Sequence, residues 1–387
     1  MAKILLINPN KWGRGITHIW IAAHSGVLKR NGHEVQLFDA TFYNNWKHNE
    51  KDFEKEFLKT NYDDLVKFSD EDVFQELEKK ISEFNPDIVF WSAISSHIHS
   101  EGEYVNIQNG HDLFENLTIP QEITLVTGGL QATSAPHFIF EKMDKIQFLI
   151  RGESEITLNE IANHIDDKKD FSKLDGLAYM EDNVLKLNKP QKILGDLDVI
   201  SPYDYSIFDK QVFLKKYNGG VYKGVDYELS RGCIYSCAYC VETIIQKYYG
   251  FEETSPKSGA IKNFKSYLRH KSADVAFSEI KNLYENYGVT IFRCQDTNFL
   301  TIDRDTLTNL AKLIEESKFD IKLYIETRPE GINAKSIELL KKLKVDGIGM
   351  GIEASSESFR EDSLKRFADQ DKIINAFKIL KENGINR

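Results

Sequence analysis

Three cysteines fall within one short segment, Ser230-Arg231-Gly232-Cys233-Ile234-Tyr235-Ser236-Cys237-Ala238-Tyr239-Cys240. Thiolates suit iron–sulfur clusters and zinc, and a loop of this spacing can wrap round one metal centre. Three local ligands leave one iron of a four-iron cluster without a cysteine, a position open to an exogenous ligand. The alternative is a zinc knot completed by Cys294 or by one of ten histidines. Structural zinc sites usually draw their cysteines in pairs, which this spacing fits poorly. Cys294 lies in a predicted strand, where a buried cysteine is more often a small hydrophobe than a ligand.

The elements around these thiols are legible as alternating apolar runs and helix-period segments, which predict an α/β chain with parallel sheets. In the first half the predicted strands are 4–7, 34–38, 87–92, 122–126 and 147–150, with a helix over 16–30 and a charged helical stretch over 41–84. This is a doubly wound pattern, and such sheets bind ligands beyond the carboxyl ends of their strands. Those ends carry Asn8-Pro9-Asn10, Ser92-Ala93, Gly128-Gly129 and Arg151-Gly152-Glu153. The alternation breaks between about 165 and 220, where 177–180 and 184–187 predict a small hairpin and 195–205 a connector. Beyond it, strands over 227–230, 290–294, 322–326 and 347–352 alternate with helices over 273–287, 303–317, 334–343 and a helical stretch over 356–383. The expected organisation is a Rossmann-like domain over 1–165, a linker over 166–220 and a second domain over 221–387. In parallel barrels reactive residues gather at the carboxyl ends of strands, where Cys233, Cys237, Cys240, Asp296, Glu326, Arg328 and Glu353 all fall.

Composition bounds the rest. Fifty Lys and Arg against sixty Asp and Glu give a net charge of −10, which argues against a general nucleic-acid binder. A hydrophobic content of 41% supports sizeable cores. Four cysteines in 387 residues do not make a disulfide framework. No apolar run approaches the ~18 residues of a membrane span, and the first apolar stretch is too short for a signal peptide, so the expectation is a cytoplasmic enzyme. The segment 241–272 mixes Tyr248, Tyr249, Phe251, Phe264 and Tyr267 with Lys257, Lys262, Lys265, Arg269 and Lys271, as a lid or substrate wall would. An aromatic and basic mixture can also hold a nucleic-acid strand; the acidic balance places the small-molecule reading first.

With Tyr239 as the aromatic before its last cysteine, the loop resembles the cluster motif of the radical S-adenosylmethionine (SAM) superfamily. Arg293-Cys294-Gln295-Asp296-Thr297-Asn298-Phe299 is similar to the family's second-strand segment, and Glu326-Thr327-Arg328-Pro329-Glu330 to its third-strand end. Gly351-Ile352-Glu353-Ala354-Ser355-Ser356-Glu357 resembles its Gly-Ile-Glu-Ser-Gly-Ser-Glu pattern. The resemblance implies a four-iron four-sulfur cluster on Cys233, Cys237 and Cys240, whose open iron binds the amino and carboxylate groups of SAM. One electron, from a reductant such as flavodoxin or ferredoxin, then cleaves SAM to a 5′-deoxyadenosyl radical. Tyr239, Asp296, Glu326, Arg328 and Glu353 become the implied SAM contacts: Asp296 or Glu353 for the methionyl ammonium, Glu326 for the ribose, and Arg328 able to pair with the carboxylate.

The first half resembles the cobalamin-binding domain of one large subclass, through 3–9, 28–39, 85–95, Gly128-Gly129-Leu130-Gln131-Ala132-Thr133 and Arg151-Gly152-Glu153-Ser154-Glu155. The implied cobalamin contacts are Asn8, Ser92, Gly128 and Gly129, the paired glycines letting backbone approach a macrocycle. Members that ligate cobalt through histidine carry Asp-x-His-x-x-Gly after the first strand; residues 8–15 contain no histidine, and His18 and His24 read as packing or surface residues. Many members of the subclass lack that histidine, so cobalamin binding stays open. The implied reaction is methyl transfer to an unactivated carbon of a small molecule or peptide, with ring formation or rearrangement as the competitor. A reading from another class is a non-catalytic binding protein derived from a decayed enzyme. Only four strand–helix units are legible where family barrels have six, so the expectation is a shortened barrel with an open, four-stranded sheet.

Overall fold

The computed structural model describes residues 1–48, 60–92 and 103–385. Ala93, and with it the end of the 85–95 resemblance, lies outside the described residues, as does 49–59 of the stretch read as helical. The chain forms two compact units, Met1–Ile193 with Ile200–Tyr222, and Leu194–Val199 with Lys223–Arg387.

The first unit is built on β1 (Lys3–Asn8), β2 (Glu34–Asp39), β3 (Ile88–Ser92), β4 (Thr124–Gly128) and β5 (Phe148–Ile150), all parallel, with β6 (Leu177–Glu181) and β7 (Val184–Leu187) antiparallel at one edge. The sheet order is β2-β1-β3-β4-β5-β6-β7. Every residue of β3 is buried, as a strand covered on both faces requires. The β6–β7 hairpin turns through Asp182 and Asn183 at φ +50° and +61°, the left-handed pair that a two-residue hairpin turn favours. Sequence placed this hairpin in a linker; it extends the first sheet, because its strand pairs along β5 from Phe148↔Tyr179 to Ile150↔Leu177. Among the described residues of 41–84, helix is confined to Tyr62–Leu65 and Val73–Phe84 and to the 3-10 turn that begins at Ala40. Charge pairs support a helix without nucleating one. Here the backbone closes a loop instead, with Ser69 N donating to Phe42 O at 2.7 Å and Asn44 N to Ser69 O at 2.9 Å.

A hairpin of β8 (Leu214–Tyr217) and β9 (Gly220–Tyr227) carries the chain from the first unit into the second. Next come the short antiparallel pair β10 (Ser230–Arg231) and β11 (Arg269–His270), then β12 (Ile291–Cys294), β13 (Lys322–Thr327) and β14 (Val345–Met350). The main sheet runs β14-β13-β12-β9-β8, with β9, β12, β13 and β14 mutually parallel. It holds five strands rather than the four expected, since β8 joins β9. The first parallel strand also ends earlier than expected, at Tyr227; buried Asp226 and two glycines hide it from an apolar-run reading. Helices Ala273–Tyr287, Arg304–Ser317 and Ala334–Lys342 follow the strands, each started by a side-chain cap, from Ser272, Asp303 and Asn333. The stretch read as one helix over 356–383 is two, Glu357–Asp362 and Gln370–Glu382. Lys365 takes φ +51° between them, and Asp369 caps the second through Lys372 N.

Candidate functional site

The cysteine loop leaves β10 through Gly232 at φ +92°, where an added Cβ would stand 2.6 Å from Tyr267 O. Only glycine fits that entry. Cys233 and Cys237 are buried and Cys240 half-buried. The loop is fastened by its surroundings: Ser236 N donates to Gly259 O (2.8 Å), Ala238 N to Leu364 O (2.9 Å) and Ile261 N to Ile234 O (2.8 Å). Helix Glu242–Tyr248 holds it from behind. Glu242 Oε1 accepts from Cys233 N (3.2 Å) and Tyr267 Oη (2.6 Å), and Gln246 Nε2 donates to the carbonyls of Cys233 and Tyr235, both at 2.9 Å.

Burial pushes the Cys233 thiol up to about 12, and Glu242, Cys237 and Cys240 add to it; burial likewise raises Cys240 to about 11. Thiols held this high are poor free nucleophiles, and they ionise readily only beside a cation. Among the described residues no three His, Cys, Asp or Glu side chains converge closely enough to share one metal ion. A four-iron cluster asks less convergence, because each thiolate bonds a different iron. Tyr235 N already points at Cys233 Sγ (3.4 Å) and Arg328 Nη1 at Cys237 Sγ (3.8 Å), as donors around cluster sulfurs do. The donor set fits the cluster.

The sequence-predicted SAM residues do not all share one environment. Tyr239 and Glu353 come together: Arg366 Nη1 donates to Tyr239 Oη (3.4 Å) and lies 3.9 Å from Glu353 Oε1, while its Nη2 donates to Gly351 O (2.5 Å). Glu353 is exposed and takes φ +68°. Arg360, fully buried, donates to the carbonyls of Ala354 (2.6 Å), Ser355 (3.1 Å) and Ala368 (2.9 Å) and so shapes the same loop. Sequence reasoning missed Arg360 and Arg366, whose partners leave no local pattern. Glu326, at the end of β13, lies against Gly349, where an added Cβ would be 3.3 Å from its Cγ. Burial lifts its carboxyl to about 7, with Arg293 offsetting part of the rise.

Asp296 is not available in the same way. It is fully buried, and its Oδ1 accepts from Leu229 N (3.1 Å), Ser230 N (2.5 Å) and Ser230 Oγ (2.6 Å), tying the loop after β12 to the approach to the cysteines. Burial raises it to about 7, and Oδ2 has no partner. Arg328 is likewise engaged, with Glu330, Tyr235 and Cys237. Cys294 is buried on β12. The segment 241–272 has structure of its own, and Arg269 and Lys271, read as part of a basic lid, face inward. Lys271 is fully buried, 2.6 Å from Glu279 Oε2, which also accepts from Tyr227 Oη (2.6 Å).

In the first unit the residues expected to meet cobalamin form one row across the ends of the parallel strands. Asn8 stands opposite Asp39, Ser92 opposite Gly128, and Gly128 opposite Ile150. β1 and β3 flank the topological switch point, where sheets of this order bind ligands. Asn8 Nδ2 donates to Asp39 Oδ1 (3.0 Å), while Asn8 Oδ1 and Asp39 Oδ2 are buried without partners. Gly129 takes φ +96° and its carbonyl accepts from Thr133 Oγ1 (2.8 Å). Gly128 has a different reason: an added Cβ would press on the Phe90 ring at 3.2 Å and Ser154 at 3.4 Å, so its bareness serves packing. His24 is committed inside, to Trp20 O (2.6 Å) and Ser154 Oγ (2.9 Å), and His18 is buried at the helix start. The two orphaned oxygens in this row, on Asn8 and Asp39, fit a polar ligand such as the amide-rimmed cobalamin.

The second unit joins a parallel sheet to a three-cysteine loop, and comparison with known proteins shows what this arrangement is similar to. Residues 227–387 match the Radical SAM superfamily. The chain is 23% identical over 314 residues to an uncharacterised methyltransferase of Pyrococcus horikoshii, covering 81% of this chain and 61% of that protein. It is 27% identical over 250 residues to the anaerobic magnesium-protoporphyrin IX monomethyl ester cyclase of Synechocystis, covering 64% and 45%. Its fold matches that of the radical SAM methyltransferase TsrM from Kitasatospora setae, a structure with cobalamin and a four-iron four-sulfur cluster bound. The TM-score is 0.69 at 15% identity, covering 100% of this chain and 66% of that one. The chain thus spans about half to two thirds of the length of these relatives. The match to the radical SAM superfamily, whose cofactors are a four-iron four-sulfur cluster and SAM, covers residues 227–387. Among the described residues no helix is long and apolar enough to cross a membrane.

Proposed function

We propose that this chain is the cobalamin- and cluster-binding part of a radical SAM enzyme that methylates an unactivated carbon of a small molecule or peptide. The observation that carries the reading is the pairing, in one chain, of a fastened three-cysteine loop with a separate switch-point row that holds orphaned polar atoms. When bound, the cluster would supply the electron that cleaves SAM, and cobalamin would carry the methyl group. Cys233, Cys237 and Cys240 would hold the cluster. Glu353, exposed beside Tyr239, would receive the methionyl ammonium, and Glu326 would accept from the ribose hydroxyls. A Glu326 carboxyl raised to about 7 accepts best once ionised. Asp296 acts as a fastener, not a substrate contact. Asn8 and Asp39 would meet the amide rim of cobalamin, with Gly129 leaving its backbone open beside them. The electron would come from a flavodoxin or ferredoxin.

Anaerobic reconstitution with iron and sulfide, then reduction in the presence of SAM, tests the cluster. Unchanged cluster absorption and SAM cleavage in Cys233→Ala, Cys237→Ala and Cys240→Ala would defeat the reading. Added cobalamin, followed by its visible spectrum, tests the first unit. The similarity to a ring-forming cyclase supports a second outcome. Incorporation of a labelled methyl group favours transfer; deoxyadenosine without methylated product favours cyclisation.

A further inference from the structure

The side chain of Arg328 is held on several sides beside a cluster ligand. It follows β13, is 7% exposed, and directs each of its three guanidinium nitrogens at a neighbour. Nη1 lies 3.8 Å from Cys237 Sγ, while Nε and Nη2 donate to Glu330 Oε1 at 3.1 and 2.5 Å. The guanidinium carbon sits 3.7 Å from the centre of the Tyr235 ring, midway between the first two cysteines in sequence. Its main-chain N donates to Asn298 Oδ1 at 3.3 Å. Pro329 fixes the turn that brings Glu330 back onto it. A guanidinium keeps its proton at any pH a protein meets, so the group is charged here. Glu330 gives only one oxygen to this pair; its Oε2 is buried with no partner.

An arginine fixed so firmly has little freedom to follow a mobile substrate, but it places a permanent positive charge and an N–H donor at a cluster sulfur. Reduction adds one negative charge to a cluster, and both net charge and hydrogen bonds to sulfur set how easily that happens. Stacking on an aromatic face holds such a cation without neutralising it.

We propose that Arg328, positioned by Tyr235 and Glu330, raises the reduction potential of the cluster on Cys233, Cys237 and Cys240, with Glu330 offsetting part of its charge. The proposal rests on the cluster reading above, and it makes Arg328 a positioning and tuning residue rather than the partner of the SAM carboxylate.

The test is a redox titration of the anaerobically reconstituted full chain, followed by the electron paramagnetic resonance signal of the reduced cluster, with iron and sulfide content measured beside it. Arg328→Gln is expected to lower the midpoint by at least a tenfold change in the reduction equilibrium, about 59 mV for one electron. Arg328→Lys, which keeps the charge, is expected to fall between Arg328→Gln and the unaltered protein. Glu330→Gln is expected to move the midpoint the opposite way. Opposite signs follow from charge; simple loosening of the loop would move both variants in one direction. Midpoints unchanged in both variants, or shifted in the same direction, overturn the proposal. If Arg328→Gln fails to retain its irons, the sign for Glu330→Gln decides alone. Failure of the unaltered protein to hold a cluster defeats the cluster reading itself, whereas a full cluster at an unmoved potential defeats only this inference.

Discussion

Replacing Asp296 by asparagine separates the charge of that buried carboxyl from its hydrogen bonds. The native carboxyl titrates at about 7, against roughly 4 for an unfolded aspartate. Between those values the native state keeps a proton that the unfolded state has lost, so stability falls as pH rises through this window and levels off above it. At about 1.4 kcal/mol per unit, a shift of roughly three units makes charging cost on the order of 4 kcal/mol above neutral pH. Asparagine keeps an oxygen for Leu229 N, Ser230 N and Ser230 Oγ and never ionises. Its amide nitrogen takes the place of Oδ2, which faces no partner, at a cost of about 1–3 kcal/mol at every pH. Asp296→Asn is therefore expected to be less stable than the unaltered chain at pH 5 and more stable, by about 1–3 kcal/mol, at pH 8. All four tryptophans, Trp12, Trp20, Trp46 and Trp91, lie in the first unit, so the second is followed by hydrogen exchange of peptides spanning 223–232. Glu326 titrates in the same direction, so some slope persists in the variant. Identical pH dependence of exchange in the two proteins between pH 5 and 8 would refute the reasoning.

Gly232→Ala, forced into φ +92° against Tyr267 O, is expected to lose about 2–4 kcal/mol and most of its iron per chain, read by thermal melting and metal analysis. Arg360→Met abandons the carbonyls of Ala354, Ser355 and Ala368 and is expected to cost about 3–5 kcal/mol, with exchange accelerating first over 351–356. Lys271→Met takes from buried Glu279 the cation 2.6 Å away, a loss of about 3–5 kcal/mol; Lys271→Met with Glu279→Leu should recover most of it in the same denaturant titration. Asn8→Leu keeps the volume but removes polar atoms at the switch point, and is expected to weaken cobalamin binding at least tenfold by visible titration while cluster content stays constant.

What could be read in advance followed the range of the interactions. β1, β3 and β4 are short apolar runs, and the caps Ser272, Asp303 and Asn333 act on the next turn, so neighbouring residues reveal them. The spacing of Cys233, Cys237 and Cys240 is local too. β9 was misplaced because its buried Asp226 is balanced by Gln295 and Arg293 from another strand, a compensation no window of β9 displays. Arg360 and Arg366 look like ordinary charged residues until their carbonyl partners are known. Gly128 invited a ligand explanation because a motif supplies no neighbours, and its neighbours prove to be Phe90 and Ser154.

The hydrogen bond from Ala238 to Leu364 also bears on the order of assembly. The loop that carries the thiols takes part of its support from a residue roughly 126 positions downstream, which emerges from the ribosome about 6 to 25 s later at ordinary elongation rates. For that interval Cys233, Cys237 and Cys240 are part of a nascent chain that lacks this part of their final enclosure. The enclosure of the thiols is thus completed only when the chain has been made as far as Leu364.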